Sequence, residues 1–424
     1  MGERSASTTP PLVRIIGTVG SAVAYTIRDF LHRSDVPFEW LQLTTDQQAR
    51  SQAGVEHLRD SRLPICVFTD GTRLECPTVL QIIEKLGWFL TPSRSVYDVA
   101  IYGAGPAGLS AAVYAASDGL KTVLVERSAI GGQAGSSSRI ENYLGFPEGI
   151  GGADLAERAR QQACRFGVEI LLAREGVRGE QQPGKQVGYL ADGTKIVSRA
   201  IVCATGVEYR RLGMPNEDKF LGAGLYYGAG ASEAALTEHE HVYVIGGGNS
   251  AGQAVMHFAP FARRISIVVR GDSLEETLSQ YLVDRIRASR NVEVLARTEV
   301  TGLDGDESRL HGITLTDCNT GKKRKVDTHW LFVCIGGLPY TDWAPEMGVE
   351  RDEQGYLVTG SDLLRGGRRP ANWPLDRDPY YLETNIPGLF AVGDVRHGAV
   401  KRCASAVGEG AMVVAFVHQF LAEG

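Results

Sequence analysis

The chain has 424 residues, enough for two or three domains that each bury a core, and its 44 basic and 50 acidic residues leave a net charge of −6. With a sequence pI near 5.9, this balance gives no reason to expect a nucleic acid or an anionic membrane as a partner. Glycine supplies 51 residues, about 12% against a usual share of ~7%, so many turns that bring backbone close to a ligand are expected.

Seven cysteines, at 66, 76, 164, 203, 318, 334 and 403, are odd in number and scattered, the pattern of a reduced compartment without a disulfide framework. No two are spaced C-x-x-C. No apolar run approaches the ~18 residues of a membrane span, and MGERSASTTPP has no signal-peptide core. The expectation is a cytoplasmic protein without a membrane span.

After a proline-containing disordered lead, Val13 to Gly17 reads as a strand, Ala22 to Arg33 as a helix and Phe38 to Leu43 as a second strand. Ile65 to Phe68 gives a third strand, Asp70-Gly71 a hairpin turn and Pro77 to Leu86 a closing helix. This order over residues 1–92 resembles a glutaredoxin or thioredoxin-like domain, with Leu63-Pro64 where that family has its cis-proline. The resemblance puts Ser21 and Ala24 at the two redox positions. Neither carries sulfur, so the domain is expected to be redox-inactive. Cys66 and Cys76 read as core filler.

Beyond a short linker, Thr91 to Val96, the run Tyr97 to Arg127 carries the chemistry. An apolar β-branched strand ends in Gly103, Gly105 and Gly108, the G-x-G-x-x-G of a strand turning into a helix. The first glycine permits the turn, the second admits a pyrophosphate to the backbone, and the third lets helix and strand pack closely. A second apolar run, Thr122 to Val125, ends in Glu126, placed about 20 residues past the glycines to accept ribose hydroxyls. This is a dinucleotide site.

Further along lie GGQ (Gly131 to Gln133), ENYLGFP (Glu141 to Pro147), ATG (Ala204 to Gly206), GGGNSA (Gly246 to Ala251) and GDV (Gly393 to Val395). With GAGPAG (Gly103 to Gly108), these ordered motifs make the chain from 97 to its end resemble the low-molecular-weight, FAD-dependent thioredoxin reductase family. The fold class implied is α/β, with two Rossmann-like domains plus the N-terminal thioredoxin-fold domain. FAD would occupy 97–213 and 338–424, and NADPH or NADH the inserted domain 214–337, with Gly213 to Pro215 and Gly336 to Pro339 as hinges. The resemblance implies that Gly103, Gly105, Gly108 and Glu126 hold the adenosine diphosphate part of FAD, and that Gly132, Gln133, Asn142, Thr205 and Gly206 lie along the flavin. It implies the same of Gly393 and Asp394, the latter accepting from a ribityl hydroxyl. Lys401, Arg402 and Cys403 fall in the stretch whose backbone faces the flavin pyrimidine edge; an ordinary solvated helix start is the competing reading.

The second fingerprint, Gly246, Gly248 and Ala251 with Asn249 and Ser250 between, follows the strand VYVI and precedes RISIVV. A pyridine nucleotide is its natural tenant. Where the family has an HRR motif and another Arg for a 2′-phosphate, this chain has Val269, Arg270 and Gly271, then Glu275, which is expected to repel the phosphate. NADPH, NADH and loss of binding all stay open.

At the family's catalytic C-x-x-C the chain reads LYYGAGASEA, with Gly228 and Ala231 at the cysteine positions. Without a dithiol, ordinary thioredoxin-disulfide reductase activity is not expected. The small residues are expected to leave open space, bordered by Tyr226 and Tyr227 as packing or as a stacking surface. GKKRK (Gly321 to Lys325) reads as a solvated hairpin turn, His239 and His241 lack the spacing of a metal site, and Asp362 to Tyr381 reads as a surface insertion in which Arg368, Arg369 and Trp373 could instead touch a substrate or a neighbouring domain.

The expected function is a flavin-dependent oxidoreductase that passes electrons from NAD(P)H through FAD to a non-disulfide or external acceptor, a small-molecule substrate or a redox protein. A ferredoxin or flavodoxin NADP reductase, a substrate-specific flavin dehydrogenase or oxidase, and a non-catalytic flavin-binding sensor or adaptor are the alternatives. The family resemblance also implies a homodimer.

Overall fold

A computed structural model describes residues 11–34, 36–88, 91–228, 230, 233–306 and 309–423; the N-terminal lead (1–10) and Ala231 fall outside them. The chain divides into two compact units, one from residues up to Ile82 with Ser136–Ser138 and Tyr209–Gly336, the other from Ile83–Gly135, Arg139–Glu208 and residues from Gly337 onward.

In the first unit, the N-terminal module is built on the strand Val13–Gly17. It pairs in parallel with Phe38–Gln42 and antiparallel with Ile65–Phe68, which takes Arg73–Glu75 on its other side. Val13, Ile15 and Ile16 are buried while Arg14 faces water, as an apolar strand under a helix requires. The helix Ala22–Arg33 starts at Ser21, whose hydroxyl accepts from the Ala24 amide at 3.2 Å, and ends with His32 and Arg33 at the negative end of its dipole. The Leu63-Pro64 bond is cis. The rest of this unit is a five-stranded parallel sheet in the order Leu225–Tyr227, Trp330–Val333, His241–Ile245, Arg264–Val268, Val292–Leu295. Its central strands are apolar on both faces, and the crossover helices Asn249–Phe258 and Gln280–Ala288 pack on it. A three-stranded antiparallel sheet, Thr298–Gly305, Leu310–Asp317 and Lys323–Asp327, follows; of GKKRK only Gly321 and Lys322 lie in the turn between its last two strands, while Lys323, Arg324 and Lys325 are exposed positions of the last strand itself.

Within this unit the helix Ala22–Arg33 lies against the nucleotide module. Tyr25 meets Tyr226 edge-on with ring centres 5.1 Å apart, and Tyr226 in turn stacks on Trp330 and Phe332. Arg28 sits over the Trp40 ring at 4.4 Å and reaches Glu233 at 3.2 Å, with 4% and 0% of the two side chains exposed. Gly222, at φ +73°, lets the helix approach: a Cβ there would lie 3.0 Å from the Ala22 Cα.

The second unit holds a seven-stranded sheet in which Tyr97–Tyr102 and Thr122–Val125 are central and parallel, flanked by Lys195–Cys203 with Leu389–Ala391 on one side and Glu169–Leu171 on the other. The helix Pro106–Ser117 packs against the C-terminal helix Cys403–Glu423, where a Cβ on Gly410 would lie 2.1 Å from the Ala107 carbonyl oxygen. Ser110 Oγ donates to the Val407 carbonyl at 2.8 Å across the same contact.

One sequence expectation changes here. The C-terminal helix, 21 residues long with an 18-residue stretch of mean hydropathy 1.3, is long and apolar enough to cross a membrane by length and composition. Its apolar character has a local use, because it buries Ala406, Gly410, Val413, Val414 and Val417 against its own unit. The Asp362 to Tyr381 loop is largely exposed, as a surface insertion would be, and is tied down within its own unit. Arg377 pairs with Glu383 and Glu423 and lies 3.8 Å over the Tyr380 ring, Tyr380 stacks on Phe416, and Trp373 Nε1 donates to the Arg377 carbonyl. Arg369 pairs with Asp376 and Asp378 inside the loop.

The Gly410 contact gives a direct test. Gly410→Ala forces the two helices apart and should cost about 1–3 kcal/mol of stability. Gly408→Ala, where a Cβ meets nothing within 4 Å, should instead gain about 0.5–1 kcal/mol from helix propensity. Urea unfolding of both variants beside the parent checks the pair.

Candidate functional site

The first glycine turn is shaped by contact between backbones. A Cβ on Gly103, at φ +104°, would lie 2.3 Å from the Ala204 carbonyl oxygen, and one on Gly108 would lie 1.8 Å from the Gly103 carbonyl oxygen. Gly105 differs, since its nearest neighbour would be the Gly132 Cα at 3.9 Å. Two glycine backbones thus face a side-chain-free cleft at the N-terminus of Pro106–Ser117, where amide N–H groups and the helix dipole favour an anion. Glu126 is buried beside the turn, accepting from the Ala104 amide at 2.7 Å and the Ser128 amide at 2.8 Å. Its carboxylate therefore supports the loop.

Gln133 Nε2 donates to the Val207 carbonyl at 2.8 Å, and Thr205 Oγ1 lies 3.5 Å from Cys203 Sγ beside Gly206, which is at φ +65°. Asn142 is exposed. Gly393 is held by Glu409, whose carboxylate accepts from the Gly393 amide at 2.7 Å and pairs with Arg396 at 2.5 Å. Neither Glu409 nor Arg396 stood out in the sequence, because a Glu on a helix and an Arg after GDV carry no motif. Asp394 is half-buried, its carboxylate accepts no hydrogen bond among the described residues, and burial raises its pKa against the opposing pull of Lys401. A lone carboxylate beside a glycine cradle fits a dinucleotide that brings hydroxyl donors. Lys401 and Arg402 are exposed, with Lys401 bonded to the Tyr356 hydroxyl and 4.4 Å from its ring. Their side chains match the solvated helix start. Burial, with the Asp394 charge, pushes the Cys403 thiol up to about 11.

The second turn, in the first unit, repeats the constraint. A Cβ on Gly246, at φ +139°, would lie 2.3 Å from the Cys334 carbonyl oxygen, whereas one on Gly248 meets nothing within 4 Å. Gly248 precedes the helix Asn249–Phe258. Asn249 is clamped to Ser279, donating to its hydroxyl at 2.9 Å and accepting from its amide at 2.7 Å; Ser250 is exposed and Ala251 buried. Arg270 is exposed at the end of the next strand, with no ion pair among the described residues. Glu275 was expected to repel a phosphate there, but it is paired with Arg287. The acid beside the Arg270 turn is Glu276, whose carboxylate accepts from the Asp272 and Ser273 amides.

The segment around Gly228 overturns another expectation. Gly228 is buried at φ +92°, and a Cβ there would lie 2.5 Å from the Tyr209 hydroxyl oxygen. The space left by the small residue is filled. Tyr209 shares a 3.0 Å hydrogen bond with Ser136, and burial pushes its pKa up to about 12. Tyr226 is core packing, and Tyr227 donates to Glu217 while accepting from the Leu212 amide.

Two strand-turn-helix cradles, one in each unit, define a protein built to hold two dinucleotides. Residues 97–410 match the family model for pyridine nucleotide-disulphide oxidoreductases. The chain is 31% identical over 331 residues to a Bacillus subtilis thioredoxin reductase, covering 78% of this chain and 96% of that one. It is also 31% identical over 334 residues to a Mycolicibacterium smegmatis thioredoxin reductase, covering 79% and 99%. Among solved structures, the Lactococcus lactis thioredoxin reductase superposes with a TM-score of 0.68 at 28% identity, covering 77% of this chain and all of that one. The T. acidophilum thioredoxin reductase gives the same TM-score and identity, covering 77% and 99%. The chain belongs to the pyridine nucleotide-disulphide oxidoreductase family and is a thioredoxin reductase-like flavoprotein. FAD is its cofactor, and the family draws its electrons from NADPH.

Asp394 generates a pH test. Its folded pKa is raised, so its contribution to apoprotein stability is full below the unfolded carboxyl value and lost as pH rises through the raised one. Asp394→Asn should flatten that fall in apoprotein melting temperature between acidic and neutral pH, and should weaken FAD retention on gel filtration.

Proposed function

We propose that this chain is an oxidoreductase in which a hydride from NAD(P)H reduces bound FAD and the electrons leave to a non-disulfide or external acceptor. The observation that carries this reading is Gly228, at one of the two positions where the resemblance puts the catalytic cysteines. The chain has no C-x-x-C, and the Tyr209 hydroxyl fills the space a side chain at 228 would need. Neighbouring thiols are poor substitutes. Cys334 Sγ donates to the Gly228 carbonyl at 3.5 Å, and burial pushes its pKa up to about 12, so almost none is thiolate at neutral pH. Ordinary thioredoxin-disulfide reduction is therefore outside this proposal.

FAD supplies the two-electron chemistry, and the chain supplies binding and orientation. Gly103, Gly105, Gly108 and Glu126 would hold the pyrophosphate and ribose, Gly132, Gln133, Asn142, Thr205 and Gly206 would line the ring system, and Gly393 and Asp394 would take the ribityl chain. Lys401, Arg402 and Cys403 would offer backbone to the pyrimidine edge. In the other unit Gly246, Gly248, Asn249, Ser250 and Ala251 would cradle the nicotinamide nucleotide. An exposed Arg270 without an ion pair among the described residues, with Glu275 paired to Arg287 and Glu276 engaged by the Asp272 and Ser273 amides, favours NADPH over NADH, since a guanidinium can grip a 2′-phosphate. The domain division that goes with this is 1–92 as a thioredoxin-like domain without redox cysteines, 97–213 with 338–424 for FAD, and 214–337 for the nucleotide. A cytoplasmic homodimer completes the reading.

Anaerobic stopped-flow absorbance tests it. NADPH should bleach the flavin band faster than NADH, and Arg270→Ala should raise the half-saturating NADPH concentration about tenfold while leaving NADH unchanged, the loss of roughly one charge-assisted hydrogen bond. If neither nucleotide bleaches a flavin that dithionite reduces, the proposal fails. Added oxidised thioredoxin should not speed reoxidation of the reduced enzyme, whereas a small quinone should.

A further inference from the structure

The N-terminal module has lost the chemistry of the proteins it resembles but has kept a specific contact. Its helix Ala22–Arg33 begins at Ser21 and Ala24, the would-be redox positions, and it is this helix that lies on the nucleotide module. Ala22 comes against Gly222, Tyr25 against Tyr226, and Arg28 against Glu233. Val19, just before the helix, joins the same apolar core. These partners bracket Gly228. A protein that exchanges disulfides with a reductase must bring sulfur to sulfur, so it must touch the segment that this helix covers.

Two features show that the contact is built rather than incidental. Arg28 and Glu233 are buried almost completely, and a buried ion pair survives because each charge compensates the other; removing one leaves the other stranded. Gly222 combines a left-handed backbone with an approach to 3.0 Å that a side chain would block. The Arg28 guanidinium is also fixed from its own side by the Trp40 ring.

We propose that the N-terminal module is a resident occupant of this face, locked in cis by the Arg28–Glu233 pair, and that it excludes free thioredoxin-type proteins, leaving reduced flavin to small acceptors. The inference rests on the oxidoreductase reading only in naming what is excluded.

The test is amide hydrogen exchange on the FAD-loaded full chain, comparing the parent with Arg28→Glu, Glu233→Arg and the double exchange. Each single variant should speed exchange at least tenfold in Ala22–Arg33 and Leu225–Tyr227 and leave Tyr97–Tyr102 unchanged. The double variant should restore the parent pattern. Added thioredoxin should leave parent exchange unaltered. Single variants that exchange like the parent overturn the lock. Acceleration that spreads through Val13–Gly17 and Ile65–Phe68 and is not rescued by the double variant also overturns it, because the pair then holds the module's own fold. Parent protection that fades on dilution moves the occupant to a second copy, and thioredoxin protection of Leu225–Tyr227 in the parent removes the exclusion. NADPH-driven quinone reduction on the same samples reports separately on the oxidoreductase reading.

Discussion

The structure depends on backbone meeting backbone without side chains between. At both cradles a carbonyl one residue past a strand end, Ala204 in one unit and Cys334 in the other, blocks the place a Cβ on the first glycine would need. That approach turns each strand directly into a helix, leaves the middle glycine open and aims unpaired amides at one point. In the second unit the constraint is propagated. Pro106–Ser117 is pressed to the C-terminal helix at Gly410, the same helix supplies Glu409, and Glu409 holds the Gly393 turn next to Asp394. A dinucleotide site is thus supported from residues more than one motif away.

Two segments without sulfur lie together in the first unit. The chain lacks sulfur at Ser21 and Ala24 and at Gly228, and the structure lays the helix that carries the first pair over the segment that carries the second. At each site something else has taken over. Ser21 caps its helix through Ala24, and Tyr209 fills the room beside Gly228. Both replacements serve packing and hydrogen bonding, and neither offers a nucleophile at neutral pH. The cysteines that remain in these cores are burdened by burial, with Cys66 and Cys334 both pushed up to about 12.

Much of the fold was legible in the residues. Val13–Gly17, Ala22–Arg33 and Ile65–Phe68 form as their patterning implies, because alternation and a serine cap act within a few residues. Expectations went astray where the deciding partner was remote in sequence. Glu275 looked like a phosphate repellent until Arg287 claimed it, and the open space at Gly228 closed because Tyr209 comes from another strand. The C-terminal run reads as broken because Glu409, His418 and Gln419 interrupt its apolar residues, and only the fold shows that Gly410 lets it pack against the helix Pro106–Ser117.

The sequence by itself determined the two glycine cradles, the acid after the second strand, the family and the missing dithiol, since each is a property of residue type at short spacing. Tertiary structure alone decided that Arg28 finds Glu233, that Glu409 steadies Gly393, and that the helix Ala22–Arg33 packs on Tyr226, close in sequence to Gly228. Those pairings join residues brought together by burial of a shared apolar face, and no local rule of propensity or spacing encodes them.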